Sequence, residues 1–424
     1  MAAGAWIVVG LGFGDEGKGS WVDFLCRKFG AHTVVRFNGG AQAGHHVVAP
    51  DGRHHTFSQF GAGTLAGART YLSQYVMVNP YFLQAESKGL ASIGVEDAYG
   101  KLTIHREALV TTPFHVSANR QRERARSARH GSCGMGIGET QQDALQHGSE
   151  ALRVQDLKDP DILRKKLVRT QRERRQGLES PVNVDHEILW SGTFVEECMA
   201  FYEEFSKKME IVGNSYFEGL CNQKGALVFE GAQGTLLDED FGFHPYTTWS
   251  HTTSSNALRL IGGKPIPLKV IGALRGYSTR HGQGPFPTEG SSRVTNSHEH
   301  NVMGPWQGAF RTGALDLVLA KYAVECGIVR EIALSHLDCL EEADEYKLCT
   351  RYRQGHQTTD NLPKPTSLPD QEFLGKALER IHPEYEILSG EGAFLHRIKK
   401  TLGLPITLCS HGPTAKDKTC LRSS

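Results

Sequence analysis

Residues Gly12-Phe-Gly-Asp-Glu-Gly-Lys18 satisfy G-x-x-x-x-G-K, the spacing at which a loop between a strand and a helix offers backbone amides and a lysine to anionic oxygens. In an ordinary nucleotide-binding loop the next residue is Ser or Thr, a magnesium ligand. Here it is Gly19, and Ser20 comes one position late. Asp15 and Glu16 stand inside the loop instead. A carboxylate among phosphate-binding amides is electrostatically unfavourable unless a cation or a proton transfer gives it a task, so this loop joins phosphate binding to acid–base or metal chemistry. A second glycine-rich run, Arg36-Phe-Asn-Gly-Gly-Ala-Gln-Ala-Gly-His45, ends in an imidazole. Two such loops at the ends of neighbouring strands face each other across one cleft, where open α/β sheets bind ligands.

The elements that must carry these loops are legible as short apolar runs. Trp6–Gly10 followed by Ser20–Arg27 reads as strand, loop, helix. Similar runs recur at Thr33–Arg36, Ala226–Phe229, Leu268–Ile271, Glu331–Leu334 and Pro405–Leu408, far enough apart for crossover connections. The spacing predicts an α/β fold with a large, mostly parallel central sheet and a P-loop-like first turn. No repeat or linker divides residues 1–424, so one unit with helical and loop excursions is expected. The 424 residues carry 47 acidic and 47 basic side chains and are 39% hydrophobic, which describes a soluble enzyme and points to neither nucleic acid nor membrane. Met1–Gly10 runs straight into the loop and reads as neither signal peptide nor membrane span, so a cytoplasmic location is expected. Nine cysteines lie singly, without C-x-x-C pairing, and read as reduced thiols. The Arg- and Lys-dense stretches Arg120–Arg129 and Arg164–Arg175 read as solvated helix faces, and the Pro-containing stretch Thr350–Pro369 as a surface excursion.

A family resemblance runs through the chain. Gly14-Asp-Glu-Gly-Lys-Gly19 and Gly39-Gly-x-x-Ala-Gly-His45 resemble the two signature loops of adenylosuccinate synthetases, in matching order. Gly134-x-Gly-Ile-Gly138, Phe229-Glu-Gly-Ala-Gln-Gly-Thr-Leu-Leu-Asp238, Thr253-Ser-Ser-Asn256, Tyr277-Ser-Thr-Arg280, Gly284-Pro-Phe-Pro-Thr-Glu289, Leu337-Asp338 and Ser410-x-Gly-Pro413 continue it. The resemblance implies GTP as co-substrate, Mg2+, a homodimer, and a reaction that phosphorylates the 6-oxo group of a purine nucleotide before an amine displaces it. By the same resemblance Asp15 removes the ring proton and touches magnesium, His45 donates to the developing charge, the Gly44 carbonyl completes the metal shell, and Lys18 neutralises the transferring phosphoryl group. Gly14, Glu16, Gly17, Gly19, His336, Asp338, Ser410 and Gly412 join Lys18, Gly44 and His45 around GTP. Asp338 can accept two hydrogen bonds from guanine's ring N–H and amino group. Asn38, Gln42, Ser132, Cys133, Gln233 and Thr253, with Asp15 and Lys18, surround the purine substrate.

The departures are as specific as the matches. The family's lysine beside the guanine-reading aspartate is His336 here, and Cys133 stands where the family prefers Thr, a better phosphate donor. The segment Glu139–Ser149 lacks the arginine that reaches the partner subunit's nucleotide, and Met135 replaces an arginine within the glycine loop. The loop that grips aspartate's carboxylates reads Gly304-Pro-Trp-Gln-Gly-Ala-Phe-Arg-Thr-Gly313. Arg311 is the one arginine left there, and Trp306 and Phe310 suit a less polar amine. The expectation is a divergent ligase that keeps the phosphoryl-transfer half of the reaction and has changed its amine donor. An ordinary adenylosuccinate synthetase using IMP, aspartate and GTP is the alternative, and a GTP- or purine-responsive regulator without catalysis is a third reading.

Overall fold

The computed structural model of the chain describes residues 4–126, 131–176, 178, 188–296, 306 and 308–421. Ten strands form the central sheet: β1 (Gly4–Gly10), β2 (Ala31–Arg36), β3 (Arg69–Leu72), β4 (Leu102–His105), β5 (Glu210–Val212), β6 (Ala226–Glu230), β7 (Leu268–Arg275), β8 (Glu331–Ser335), β9 (Ile406–Ser410) and β10 (Lys418–Cys420). Their spatial order is β10-β9-β8-β7-β1-β6-β2-β3-β4-β5. Every neighbouring pair is parallel except β9–β10 at the edge. β1 lies near the middle because its residues are apolar on both faces: Ile7 and Val9 enter one core and Val8 the other, as burial between two helical layers requires. All six predicted strands are present. The loops that leave β1, β2, β6, β8 and β9 emerge from the same end of a parallel sheet, which gathers the motifs.

A second sheet, which the sequence pattern did not announce, packs beside the first. It joins Tyr277–His281, Phe310–Asp316, Lys347–Gln354, Gln357–Thr359 and His382–Ile387. Part of the expected excursion at 350–369 is thus a hairpin: Lys347–Gln354 pairs antiparallel with Gln357–Thr359, whose residues are all exposed.

Helix α1 (Lys18–Phe29) starts directly from the first loop. Three further helices, α2 (Pro113–Ala125), α3 (Ile137–His147) and α4 (Pro160–Arg175), pack on one another across charged faces. Glu139 of α3 takes Arg122 from α2 and Arg174 from α4, and Asp143 takes Arg169 in a two-pronged contact at 2.7 and 2.9 Å. Solvated faces therefore describe Arg164 and Lys165, which pair with exposed acids, and not Arg122 or Arg174. The carboxylates of α3 draw those two inward. Arg129 lies outside the described residues. No helix among the described residues is long and apolar enough to cross a membrane.

Helix α5 (Leu317–Cys326) is fastened to the second sheet through its cap. Asp316 Oδ1 accepts the amides of Val318 and Leu319 at 3.0 and 3.1 Å, and Oδ2 accepts the Tyr352 hydroxyl at 2.6 Å. Burial pushes this carboxyl up to about 6. Asp316→Ala removes a helix cap and strands a buried hydroxyl. It is expected to cost about 2–4 kcal/mol in urea denaturation, with Asp316→Asn costing less.

Candidate active site

The first loop is braced by its own acid. Glu16 Oε1 accepts the amides of Gly12 and Gly14 at 2.9 and 2.8 Å, and Oε2 pairs with Lys18 Nζ at 2.8 Å. Lys18, fully buried, also donates to the Gly14 carbonyl at 2.7 Å. The electrostatic objection to an acid in this loop is thus met by the lysine, and Glu16 turns inward rather than toward a ligand. Gly19 has a packing reason: a Cβ there would lie 2.7 Å from His45 Cβ. A Ser or Thr at that position would drive the second loop off the helix start.

Asp15 and His45 then face a cavity of ≈ 1210 Å³, whose wall also includes Gly44, Gln42, Gln233 and Cys133. Burial raises the Asp15 carboxyl, against the charges of His281, Arg275 and Lys18, and a carboxylate with raised proton affinity is the better base. His281 Nε2 stands 3.5 Å from Asp15 Oδ2. His45 Nδ1 makes a short contact with Glu230 Oε1, while Glu230 Oε2 accepts the Ala62 amide at 2.9 Å. Burial lowers His45, and Glu230 opposes that. The metal test is one of donor chemistry. Magnesium takes hard oxygens, and the Asp15 carboxylate and Gly44 lie on the same wall, so these residues fit it.

The purine-side residues divide into lining and support. Among the described residues, both amide atoms of Gln42 and Oε1 of Gln233 are buried without a hydrogen-bond partner, and Gln233 holds a left-handed backbone with φ 59°. Unpaired buried amides and a strained non-glycine residue on one wall are what a polar ligand site leaves behind. Ser132 exchanges hydrogen bonds with Asn119 and accepts the Gly134 amide at 3.2 Å. Burial pushes the Cys133 thiol up to about 11, leaving a neutral, weak donor. Asn38 and Thr253 are supports: Asn38 bonds Ala232 through its amide and carbonyl at 3.0 and 2.8 Å, and Thr253 bonds Ser255 at 3.2 Å.

Next to the start of α1 the ends of β8 and β9 come together. Ser335 Oγ donates to the Glu16 carbonyl at 3.1 Å and Ser20 Oγ to the Pro413 carbonyl at 3.2 Å, which ties the His336–Asp338 and Ser410–Pro413 segments to the phosphate loop. His336, at φ 60°, has its Nδ1 2.8 Å from Ser335 Oγ, and its ring meets Tyr277 edge-on. Asp338 Oδ1 is buried without a hydrogen-bond partner among the described residues.

The amine loop does not present its arginine. Arg311 donates to Glu289 at 2.8 Å and to the Gly284 carbonyl at 3.0 Å. Trp306 lies on the glycine loop, where a Cβ on Gly134 would come within 2.9 Å of its ring, and Arg120 and Arg124 stack on it at 5.5 and 4.8 Å. Phe310 packs against His281 with centroids 4.8 Å apart. Gly304, Pro305 and Gln307 lie outside the described residues. Glu230 and His281 had no assignment from the sequence, although both sit within matched motifs or one residue beyond. Their partners are distant in sequence: 185 positions away for Glu230 and, for His281, in the first loop near the N-terminus.

Comparison with known proteins agrees with this architecture. A sequence model of the family described as adenylosuccinate synthetase matches residues 7–419. The adenylosuccinate synthetase of Salinibacter ruber is 33% identical, covering 94% of this chain and 90% of that one. That of Chlorobium limicola is 32% identical over 99% and 97%. Among solved structures, the fully ligated adenylosuccinate synthetase of Plasmodium falciparum superposes with a TM-score of 0.79 at 22% identity, covering 98% of this chain and 99% of that one. The succinoaminodeoxyadenylate synthetase of cyanophage S-2L, bound to dGMP with dATP as an energy donor, gives 0.58 at 16%, covering 99% and 96%. With the motif series, the fold and full-length relatives in agreement, this chain, a ligase that forms carbon–nitrogen bonds, belongs to the adenylosuccinate synthetase family.

Proposed function

We propose that the enzyme phosphorylates the 6-oxo group of an IMP-like purine nucleotide from GTP and replaces it with an amine other than free aspartate. Asp15, on the cavity wall and raised by burial, takes the proton from the ring nitrogen so that the adjacent oxygen can attack phosphorus. Lys18 offsets charge on the transferring group, and His45, held by Glu230, donates toward the oxygen that gathers charge. Asp15 and the Gly44 carbonyl would hold a magnesium ion, which when bound would neutralise charge on the triphosphate.

One observation carries the choice of amine. Arg311, the one arginine of the 304–313 segment, is already bonded to Glu289 and Gly284. A dicarboxylate would have to bind without a free guanidinium in that segment. Loss of a buried charge-assisted pair costs about 2–5 kcal/mol, tens- to thousands-fold in affinity. The relatives named as adenylosuccinate synthetases favour free aspartate as the second reading.

Phosphate release from GTP and Mg2+ with IMP, GMP and their deoxy forms, across a panel of amines with mass spectrometry of products, separates the two. The expected result is an adduct with a neutral or monoanionic amine at least tenfold faster than with aspartate. Efficient formation of the succinyl product from aspartate alone overturns the amine assignment and leaves an ordinary synthetase. Tight GTP binding without turnover under any combination would establish the regulatory reading.

A further inference from the structure

β10 places a buried lysine beside the nucleotide-base segments. Lys418 is the ladder partner of Ser410 in the antiparallel β9–β10 pair, and directly paired residues project from the same face. It is 7% exposed. Its ammonium donates to the Thr414 carbonyl at 2.9 Å and the Pro413 carbonyl at 3.5 Å, and lies 5.5 Å from the Trp21 ring of α1. The acids whose charges reach it are Asp417, Asp23 and Asp338. Asp417 is occupied by the Thr414 amide and hydroxyl. Asp23, on α1, leaves Oδ1 without a hydrogen bond among the described residues but already has a cation, Arg27, on Oδ2. Asp338 is the one of the three on a base segment, and its buried Oδ1 is reached by no hydrogen bond of the described residues.

His336 cannot supply the cation here. It is buried, burial holds its ring far below the ordinary range, and its Nδ1 faces Ser335 Oγ. A buried ammonium and a buried carboxylate oxygen at the ends of adjacent parallel strands, β9 with its return strand and β8, therefore form a donor–acceptor set. Along its pairing edge guanine presents one acceptor, O6, and then two donors, N1–H and the 2-amino group. Adenine presents a donor at position 6 and an acceptor at N1. A lysine facing O6 and a carboxylate facing the two donors match guanine at each position, and the same pair meets adenine with donor against donor and acceptor against acceptor.

We propose that Lys418 is a specificity-determining residue of the triphosphate site, donating to the 6-oxo group of the donor base while Asp338 accepts from its N–H groups. This rests on the reading of the His336–Asp338 and Ser410–Pro413 segments as the base site. Two of the ammonium's three hydrogens are held by loop carbonyls, so the side chain is positioned before the base arrives, and ordering it at binding costs little.

Steady-state kinetics of the full-length enzyme with GTP, ITP and ATP tests it. ITP keeps the 6-oxo group and lacks the 2-amino group. Lys418→Met retains the buried stem without the ammonium, and is expected to raise KM for GTP and for ITP by about ten- to hundredfold, more than it changes kcat. ATP is expected to lose nothing, so the GTP-to-ATP preference falls by that factor; Lys418→Arg should recover part of it. Asp338→Asn should penalise GTP more than ITP. Thermal denaturation of each variant reports folding separately. If Lys418→Met raises KM equally for all three nucleotides, or lowers melting temperature with an unchanged GTP-to-ATP ratio, Lys418 is a strut for the loop and the proposal is wrong. Wild-type enzyme that prefers ATP refutes the guanine reading itself before any variant is made, and the proposal with it.

Discussion

Asp15→Asn is expected to reduce turnover by about 10²–10⁴-fold while GTP affinity changes less than tenfold, measured by single-turnover phosphate release beside equilibrium binding of a fluorescent GTP analogue. The two halves of that expectation come from different side chains. The phosphate loop keeps its shape through Glu16, which holds the Gly12 and Gly14 amides and pairs with Lys18. None of these contacts involves the Asp15 carboxylate, so an isosteric amide leaves the cradle in place. What the amide cannot do is accept a proton. Burial raises Asp15 against the pull of His281, the environment that suits a base working on a weakly acidic ring N–H. Loss of GTP binding along with turnover would move Asp15's main task to holding the cation. A variant with turnover within tenfold of wild type would remove it from the proton transfer, and a regulator's output would survive the substitution altogether.

The fold was legible where burial is two-sided. β1, β2, β6, β7, β8 and β9 each carry adjacent β-branched or apolar residues, as in Val34-Val35 and Val270-Ile271, and a strand buried on both faces tends toward such runs. β3, Arg69–Leu72, and β4, Leu102–His105, are four residues each and contain Arg, Thr or His, so neither period nor composition marks them. The second sheet was hidden for a related reason: Lys347–Gln354 exposes Arg351, Arg353 and Gln354, which reads as a polar loop. At the site, glycine and lysine spacing located the two loops because phosphate binding constrains consecutive residues. The groups that tune them come from distant strands. His45 gave no sign of Glu230, nor Asp15 of His281, and Lys418 gained meaning only from the pairing of β9 with β10. The arginine-dense stretches misled in part because a charge run does not reveal whether its partners sit in solvent or, as with Glu139 and Asp143, on a third helix.

Glu230→Gln is expected to act on both stability and catalysis, and the combination identifies what His45 does. Glu230 divides its two oxygens between two donors, His45 Nδ1–H and the Ala62 amide. Burial would raise its carboxyl, but Arg36, His45 and the Ala62 amide together hold it below the ordinary 4.5. Glutamine offers one acceptor oxygen, so either Ala62 or His45 meets an NH2 group. Arg36, which otherwise spends its hydrogen bonds on the Ser58 and Phe60 carbonyls, loses a buried counter-charge. Breaking such a pair costs about 3–5 kcal/mol. Because the folded carboxyl sits below its unfolded value, this stabilisation is present above about pH 4.5 and is lost as pH falls through the folded value. The gap between wild type and variant in denaturation midpoints should therefore close in acid. For catalysis, an ionised Glu230 can only accept, so His45 Nδ1 carries a proton, and Nε2 can donate only if the ring is cationic. The substituted glutamine can instead donate to Nδ1 and leave a neutral ring with its proton on Nε2, still able to hydrogen-bond but with no charge to offer. If His45 acts by charge or proton donation, kcat should fall by about 10²–10³-fold at a temperature where the variant remains folded. A kcat within threefold of wild type would mean that a neutral hydrogen bond suffices, and that Glu230 serves the fold alone.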